Sequence, residues 1–246
     1  MAAVLECSTD TAPVRRVAHW CVEGLRLWRR YPLRLFLLSL APMVLEALLQ
    51  LVPLAGVALS KVFPLLLSFG VFQGLVDAVS TGRLRWSSPL RLWQHSYRWR
   101  ALGLALLCGP LVFGLQQLGV AAIYGWPAVD AILLGHVAAH PEFANRTFSC
   151  LLILPGVPVA IGLGLAPMFV MFRNVAPWQA MQRSLTTMLR SPAAFSMYAG
   201  IQLLLTAGML LVPFGLLLLL PLLPWMTACW YVIWTDLGRT GQVVIR

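Results

Sequence analysis

Glu46 is the one carboxylate that falls well inside a long apolar stretch of this chain. An acidic side chain near the centre of a membrane helix costs a few kcal/mol on insertion scales, so it faces protein and finds a partner there. Gln50 stands one helical turn further on the same face. Counting from the ends of the neighbouring apolar stretches brings Ser68, Gln116 and Gln117 to a comparable depth. Two kinds of chemistry suit such a set. It could bind a proton or a solute with Glu46 as the titrating group. Alternatively, a neutral Glu46 could hydrogen-bond to neighbouring amides and fix helix packing. No intramembrane arginine or lysine is expected to neutralise it, which favours the packing role, in a polar cluster or along a small cavity.

A second set of candidates is basic. Arg26 and Arg30, Arg91 and Arg98, and Arg183 and Arg190 lie on the polar faces of three short amphipathic stretches, at 14–30, 88–100 and from Pro177 onward. In the first, Val14, Val17, Cys21, Leu25 and Trp28 recur at helical spacing, opposite Arg15, His19, Glu23, Arg26 and Arg30. In the third, Trp178, Met181, Leu185 and Met188 oppose Gln182, Arg183, Thr186 and Arg190. Helices of this kind lie in the headgroup plane. Each cation there is worth about 1 kcal/mol against an acidic leaflet. Anionic lipid is therefore the expected partner, with other membrane proteins as a second class.

Other candidates are weaker. His136 and His140 stand four apart, near Asp130 and Glu142, but two imidazoles without a third firm ligand make a poor metal site. Cys7, Cys21, Cys108, Cys150 and Cys229 are scattered without metal-binding spacing and specify no disulfide framework. No metal and no cofactor is expected. A nucleophile, base and acid do not occur in any recognisable arrangement, so the sequence points away from an enzyme.

The elements that must position these residues are membrane spans. The chain is 60% hydrophobic and 11% charged, against roughly 25% charged in soluble domains. Its mean hydropathy is +0.82. The net charge of +10 would suggest nucleic acid in a soluble chain, but the arginines sit beside apolar spans, and nucleic acid is excluded as a partner. A span needs about 20 apolar residues, and six stretches qualify, at about 33–54, 58–79, 101–123, 150–172, 194–213 and 215–235. Arginines crowd the segments before the first span, after the second, after the fourth and at the C-terminus, whereas Lys61 and Arg146 stand almost alone on the other side. Both termini are therefore expected on the cytoplasmic side. The first thirteen residues lack the basic start and apolar core of a secretory signal and are expected to be retained.

The chain also repeats itself. Leu25, Arg30, Pro32 and Leu51-Val52-Pro53 return as Leu185, Arg190, Pro192 and Leu211-Val212-Pro213, with a looser middle copy in which Arg98 stands for Arg30 and Pro110 for Pro42. The expected fold is an all-α polytopic membrane helix bundle. Its six transmembrane helices form three hairpins, each preceded by an amphipathic interfacial helix, in a pseudo-threefold parallel repeat. Its organisation is a cytoplasmic tail at 1–13, one membrane domain at 14–235 with repeats at about 14–79, 86–172 and 177–235, and a C-terminal tail at 236–246. Gly70 and Gly74, and the series Gly156, Ala160 and Gly164, allow close helix approach. Several span prolines lie near span ends, where proline is readily tolerated; an unwound binding segment is the less favoured reading, with Pro155–Pro158 or Pro221–Pro224 as its place.

The segments Gly24 to Phe36, Pro53-Leu54-Ala55-Gly56 and Phe63 to Arg83 resemble a family of uncharacterised bacterial six-span membrane proteins. More distantly, the helix-plus-hairpin repeat, including Ala180 to Phe195, is similar to the membrane domain attached to some glycerophosphoryl diester phosphodiesterases. The resemblance implies a bacterial cytoplasmic membrane location and supplies no active residues, and it does not extend to the soluble phosphodiesterase domain. The expected function is that of a non-enzymatic membrane protein that interacts with anionic lipid or organises other membrane components. A small transporter or channel with its polar site around Glu46 is the alternative, and a membrane-embedded enzyme is the least favoured.

Overall fold

The computed structural model describes residues 12–84, 86–87, 93, 96–140, 143, 145–212 and 215–239. The apolar and amphipathic periodicities become helices, and among the described residues there is no strand. In chain order the helices are α1 (Pro13–Arg30), α2 (Pro32–Gln50), α3 (Ala55–Leu59), α4 (Phe63–Thr81), α5 (Arg98–Tyr124) and α6 (Trp126–Leu133). They continue as α7 (Arg146–Ile153), α8 (Gly156–Gly162), α9 (Ala166–Arg173), α10 (Pro177–Leu189), α11 (Pro192–Leu211) and α12 (Gly215–Arg239). Pro32–Gln50, Ala55–Thr81, Arg98–Tyr124 and Cys150–Arg173 are each long and apolar enough to cross a membrane. Leu33, Val44 and Leu48 on α2, Leu106, Leu111 and Leu118 on α5, and Leu204 on α11 are left exposed. Apolar surface of that extent is what a bilayer covers.

Two corners of the chain share one geometry. Pro32 and Pro192 open α2 and α11, and a residue before proline is driven out of the helical region. Tyr31 accordingly has φ −134° and ψ 53°, and Ser191 has φ −135° and ψ 57°. In both, the corner N–H bonds the carbonyl three residues back, at Trp28 and Met188, while the corner carbonyl accepts from Leu35 and Phe195. The middle copy has Arg100 where a proline would stand, and α5 runs on without a corner from Arg98. Most of the amphipathic stretch expected at 88–100 lies outside the described residues.

The apolar face of α1 meets protein. Val17, Trp20 and Gly24 are buried. Arg16 Nε and Trp20 Nε1 both donate to Asp236 Oδ2 on α12, at 2.8 and 2.9 Å, and Trp225 Nε1 donates to the Cys21 carbonyl at 3.0 Å. As α1 advances from Arg16 to Cys21, its partners on α12 step back from Asp236 to Trp225, so the two helices run antiparallel. The reason lies in Gly24, whose missing side chain lets α1 approach the backbone of α12 at Cys229. Trp20, Phe195, Tyr198 and Trp230 meet tilted or edge-to-face in an aromatic core between α1, α11 and α12.

The stretch from Arg146 to Arg173 is interrupted twice, at Leu154–Pro155, where both residues keep right-handed helical backbone angles, and at Leu163–Leu165, where Leu163 leaves them with φ −100° and ψ 1°. Beside the second interruption the Gly162 carbonyl accepts from the buried Ser184 hydroxyl of α10 at 2.7 Å. Pro221 and Pro224 lie inside the continuous α12. Around Pro155–Pro158 and Pro221–Pro224 the chain thus stays helical or turned, and neither place is an unwound segment. On the far side, α6 and a 3-10 turn at Val137–Ala139 pack around Val129, Phe143 and Phe148.

Candidate functional site

The α2–α4 hairpin makes an ion pair that the sequence reading did not expect. Glu46 sits in the last turns of α2, and the second rod starts its main helix at Phe63, five residues later than the expected start of the span. Lys61 is thereby left in the turn and folds back over α2. Its Nζ donates to Glu46 Oε1 at 2.5 Å, and Gln50 Nε2 donates to the same oxygen at 3.3 Å. The expectation that no cation stands near Glu46 is thus corrected. Lys61 Nζ also lies 5.9 Å from the centre of the Phe113 ring, a cation–π arrangement. The Glu46 and Lys61 side chains are 35% and 17% exposed, so the pair is reachable from outside the protein.

Below this pair a cavity of about 530 Å³ opens between α2, α4, α5, α8–α9 and α12. Leu104 and Gln116, both on α5, line it, so at 1.5 Å per residue it extends about 18 Å along the helices. Its walls are mostly apolar, with Phe72, Leu104, Val112, Leu163 and Trp230 among them. Gly164 makes room for the Trp230 ring, which a Cβ there would meet at 2.3 Å. Charge is confined to the Glu46–Lys61 end. Ser60, Ser68 and Thr227 also line the cavity and spend their hydroxyl hydrogens on the Val57, Pro64 and Leu223 carbonyls of their own helical turns. Ser39 lines it too, but its hydroxyl is buried away from the open space and has no hydrogen-bond partner within the protein.

Of the residues singled out in the sequence, Glu46, Ser68 and Gln116 line this cavity, and Gln50 joins it through Glu46. Gln117 does not; it is buried, and its carbonyl oxygen has no partner. Ser39 and Thr227 escaped the sequence reading, which placed Lys61 on the outer side without pairing it with Glu46. Lys61 could have been found as the single lysine within hairpin reach of Glu46, whereas nothing in the sequence marks Ser39 or Thr227. A second, almost wholly apolar pocket of about 380 Å³ lies between α1, α11 and α12, with Leu25, Trp28, Leu222 and Trp225 in its wall.

The arginine set is dispersed over the surface. Arg26, Arg30, Arg98, Arg183 and Arg190 are exposed, and Arg91 lies outside the described residues. Arg26 is ion-paired with Glu23, Arg30 lies over the Tyr31 ring and Arg98 over the Trp99 ring. Beside Arg183 and Arg190, the apolar Trp178, Leu185 and Leu189 of α10 are exposed as well. His136 and His140 flank a single 3-10 turn and do not share one face of an α-helix. Glu142 and Cys7 lie outside the described residues, and among those described no three histidines, cysteines or carboxylates gather as a metal site. No protein-family model, no curated protein and no solved structure matches this chain.

Proposed function

We propose that this chain is a non-enzymatic integral membrane protein that binds membrane lipid, holding one amphiphile in the cavity and anionic headgroups on its arginine-bearing surface. The cavity carries the reading: it is apolar along about 18 Å of helix and charged at one end, the polarity profile of an amphiphile. A site for a compact polar solute would instead converge several polar groups on one point. Exposed arginines beside exposed tryptophan and leucine on α10 suit contact with headgroups and the upper part of the acyl layer.

The same proposal places the chain in a bacterial cytoplasmic membrane as six spans in three hairpins, with a pseudo-threefold repeat and both termini cytoplasmic. The matching corners at Tyr31 and Ser191 support the repeat, and α11 and α12 supply the fifth and sixth rods. The alternative of a small transporter draws on one feature, the partly exposed ion pair at the mouth of a cavity beside the interrupted α7–α9 segment. Reconstitution separates the two. Purified protein in lipid nanodiscs is expected to retain lipid through exhaustive detergent exchange, and proteoliposomes to show no saturable uptake of amino acids, sugars or protons. Saturable uptake abolished by Glu46→Gln would overturn the lipid reading in favour of transport.

A further inference from the structure

We infer that the occupant of the cavity is a zwitterionic phospholipid-type amphiphile, its ammonium taken by Glu46 and its phosphate by Lys61; this rests on the lipid-binding reading above. The argument begins with the pair itself. Glu46 and Lys61 are bonded to each other at the charged end of an otherwise apolar cavity, and both keep some exposure. A headgroup with a single charge can pair with only one of them. It then stands against the other and leaves it without a counter-charge in a poorly solvated place, which is the costly outcome for a partly buried pair. A zwitterion brings both counter-charges, so each side chain exchanges one partner for another and none is left unmatched. Gln50 at Glu46 and the Phe113 ring at Lys61 support the two side chains while the exchange takes place.

Away from this pair, the walls at Phe72 and Leu104 offer only apolar contact to the chain. Charged end and apolar run thus follow one another in the order in which headgroup and acyl chain occur in the lipid.

The test uses the full-length protein in nanodiscs of equal phosphatidylethanolamine and phosphatidylglycerol, followed by detergent extraction and native mass spectrometry of the lipid that stays bound. Ser39→Phe, which plugs the cavity, defines lipid held elsewhere; Thr227→Phe, from the opposite wall, serves if the first variant fails to fold. The wild type is expected to retain plug-sensitive phosphatidylethanolamine over phosphatidylglycerol by about tenfold, the ratio a modest single-charge contact gives. Glu46→Gln, which leaves Lys61 unopposed, is expected to invert that preference. The exchanged pair Glu46→Lys with Lys61→Glu keeps both charges and is expected to keep the preference, which holds the question open to test if single variants are unstable. Equal retention of the two lipids, or an unchanged ratio in Glu46→Gln, would overturn the zwitterion assignment while plug-sensitive lipid upholds the lipid reading. Absence of any plug-sensitive lipid would overturn both.

Discussion

Alanine at Gly24 probes the seating of α1 on α12. A Cβ built there lies 2.5 Å from Cys229 Sγ, 3.0 Å from the Cys229 backbone nitrogen and 3.1 Å from its Cα. The sulfur can rotate away, but the nitrogen and Cα belong to α12, so α1 itself must retreat by about 0.5 Å to restore ordinary contact, a displacement of the overpacking kind. That retreat also stretches the bonds from Arg16 and Trp20 to Asp236, now 2.8 and 2.9 Å, and from Trp225 to the Cys21 carbonyl, now 3.0 Å. Overpacking of this kind costs about 1–3 kcal/mol. Taking about 2 kcal/mol, the midpoint of thermal unfolding should fall by roughly 4–8 °C for a chain of this length. Gly200 and Gly208 supply the control, because a Cβ at either meets nothing within 4 Å; alanine there should be neutral or gain up to about 1 kcal/mol of helix stability. Adding Cys229→Ala to Gly24→Ala should recover part of the loss, since it removes the sulfur contact and leaves the backbone contacts. Tryptophan fluorescence during heating of the detergent-purified protein measures all four variants. If Gly24→Ala melts with or above Gly200→Ala, α1 is not packed on α12 as described.

Three further outcomes follow from other parts of the fold. Asp236→Ala removes the acceptor, 19% exposed, that Arg16 and the Trp20 indole N–H share, and leaves Arg16 its bond to the Ser191 hydroxyl at 3.2 Å; it should cost about 1–3 kcal/mol, and a smaller deficit for Asp236→Ala on an Arg16→Met background, read by the same melting assay, would confirm the coupling. Burial, with the Asp77 carboxylate adding to it, pushes the Tyr97 hydroxyl up to about 12 from 10.0. A raised tyrosine contributes stability that is complete below pH 10 and is lost as pH rises through about 12, so wild type and Tyr97→Phe should keep a constant gap in melting temperature up to pH 10 and converge above it. Replacing Arg30, Arg98 and Arg190 together by glutamine should reduce sedimentation with phosphatidylglycerol vesicles, each charge being worth about 1 kcal/mol, without altering the lipid bound in the cavity.

The rods were legible because their signal is local. The apolar stretches expected at 33–54, 101–123 and 194–213 appear as α2, α5 and α11 with ends shifted by a few residues, and Pro32 and Pro192 mark corners whose geometry follows from proline alone. What faces what was less legible, because it depends on how the rods are arranged. Glu46 was singled out from its depth, yet Lys61 was read only as a charge on the outer side and not as its partner, since the length of the α2–α4 turn decides whether that lysine continues the helix or folds back. Gln116 and Gln117 are adjacent and looked equivalent by depth; one turns to the cavity and the other does not, a rotation set by the neighbours of α5. The stripe on α1 promised an apolar face without saying whether lipid or protein would cover it. Gly24, which decides for protein, reads as an ordinary glycine until α12 is placed beside it.

Occupancy of the cavity by lipid is most directly tested by photocrosslinking with a phospholipid that carries a diazirine at the end of one acyl chain, followed by peptide mapping. Helix α5 reports both possibilities at once, because Leu104 and Cys108 line the cavity while Leu106, Leu107 and Leu111 are exposed on its outer side. The account predicts label on Leu104, Cys108 and the facing Phe72, lost in Ser39→Phe. Label confined to Leu106, Leu107 and Leu111, and unaffected by Ser39→Phe, would contradict it.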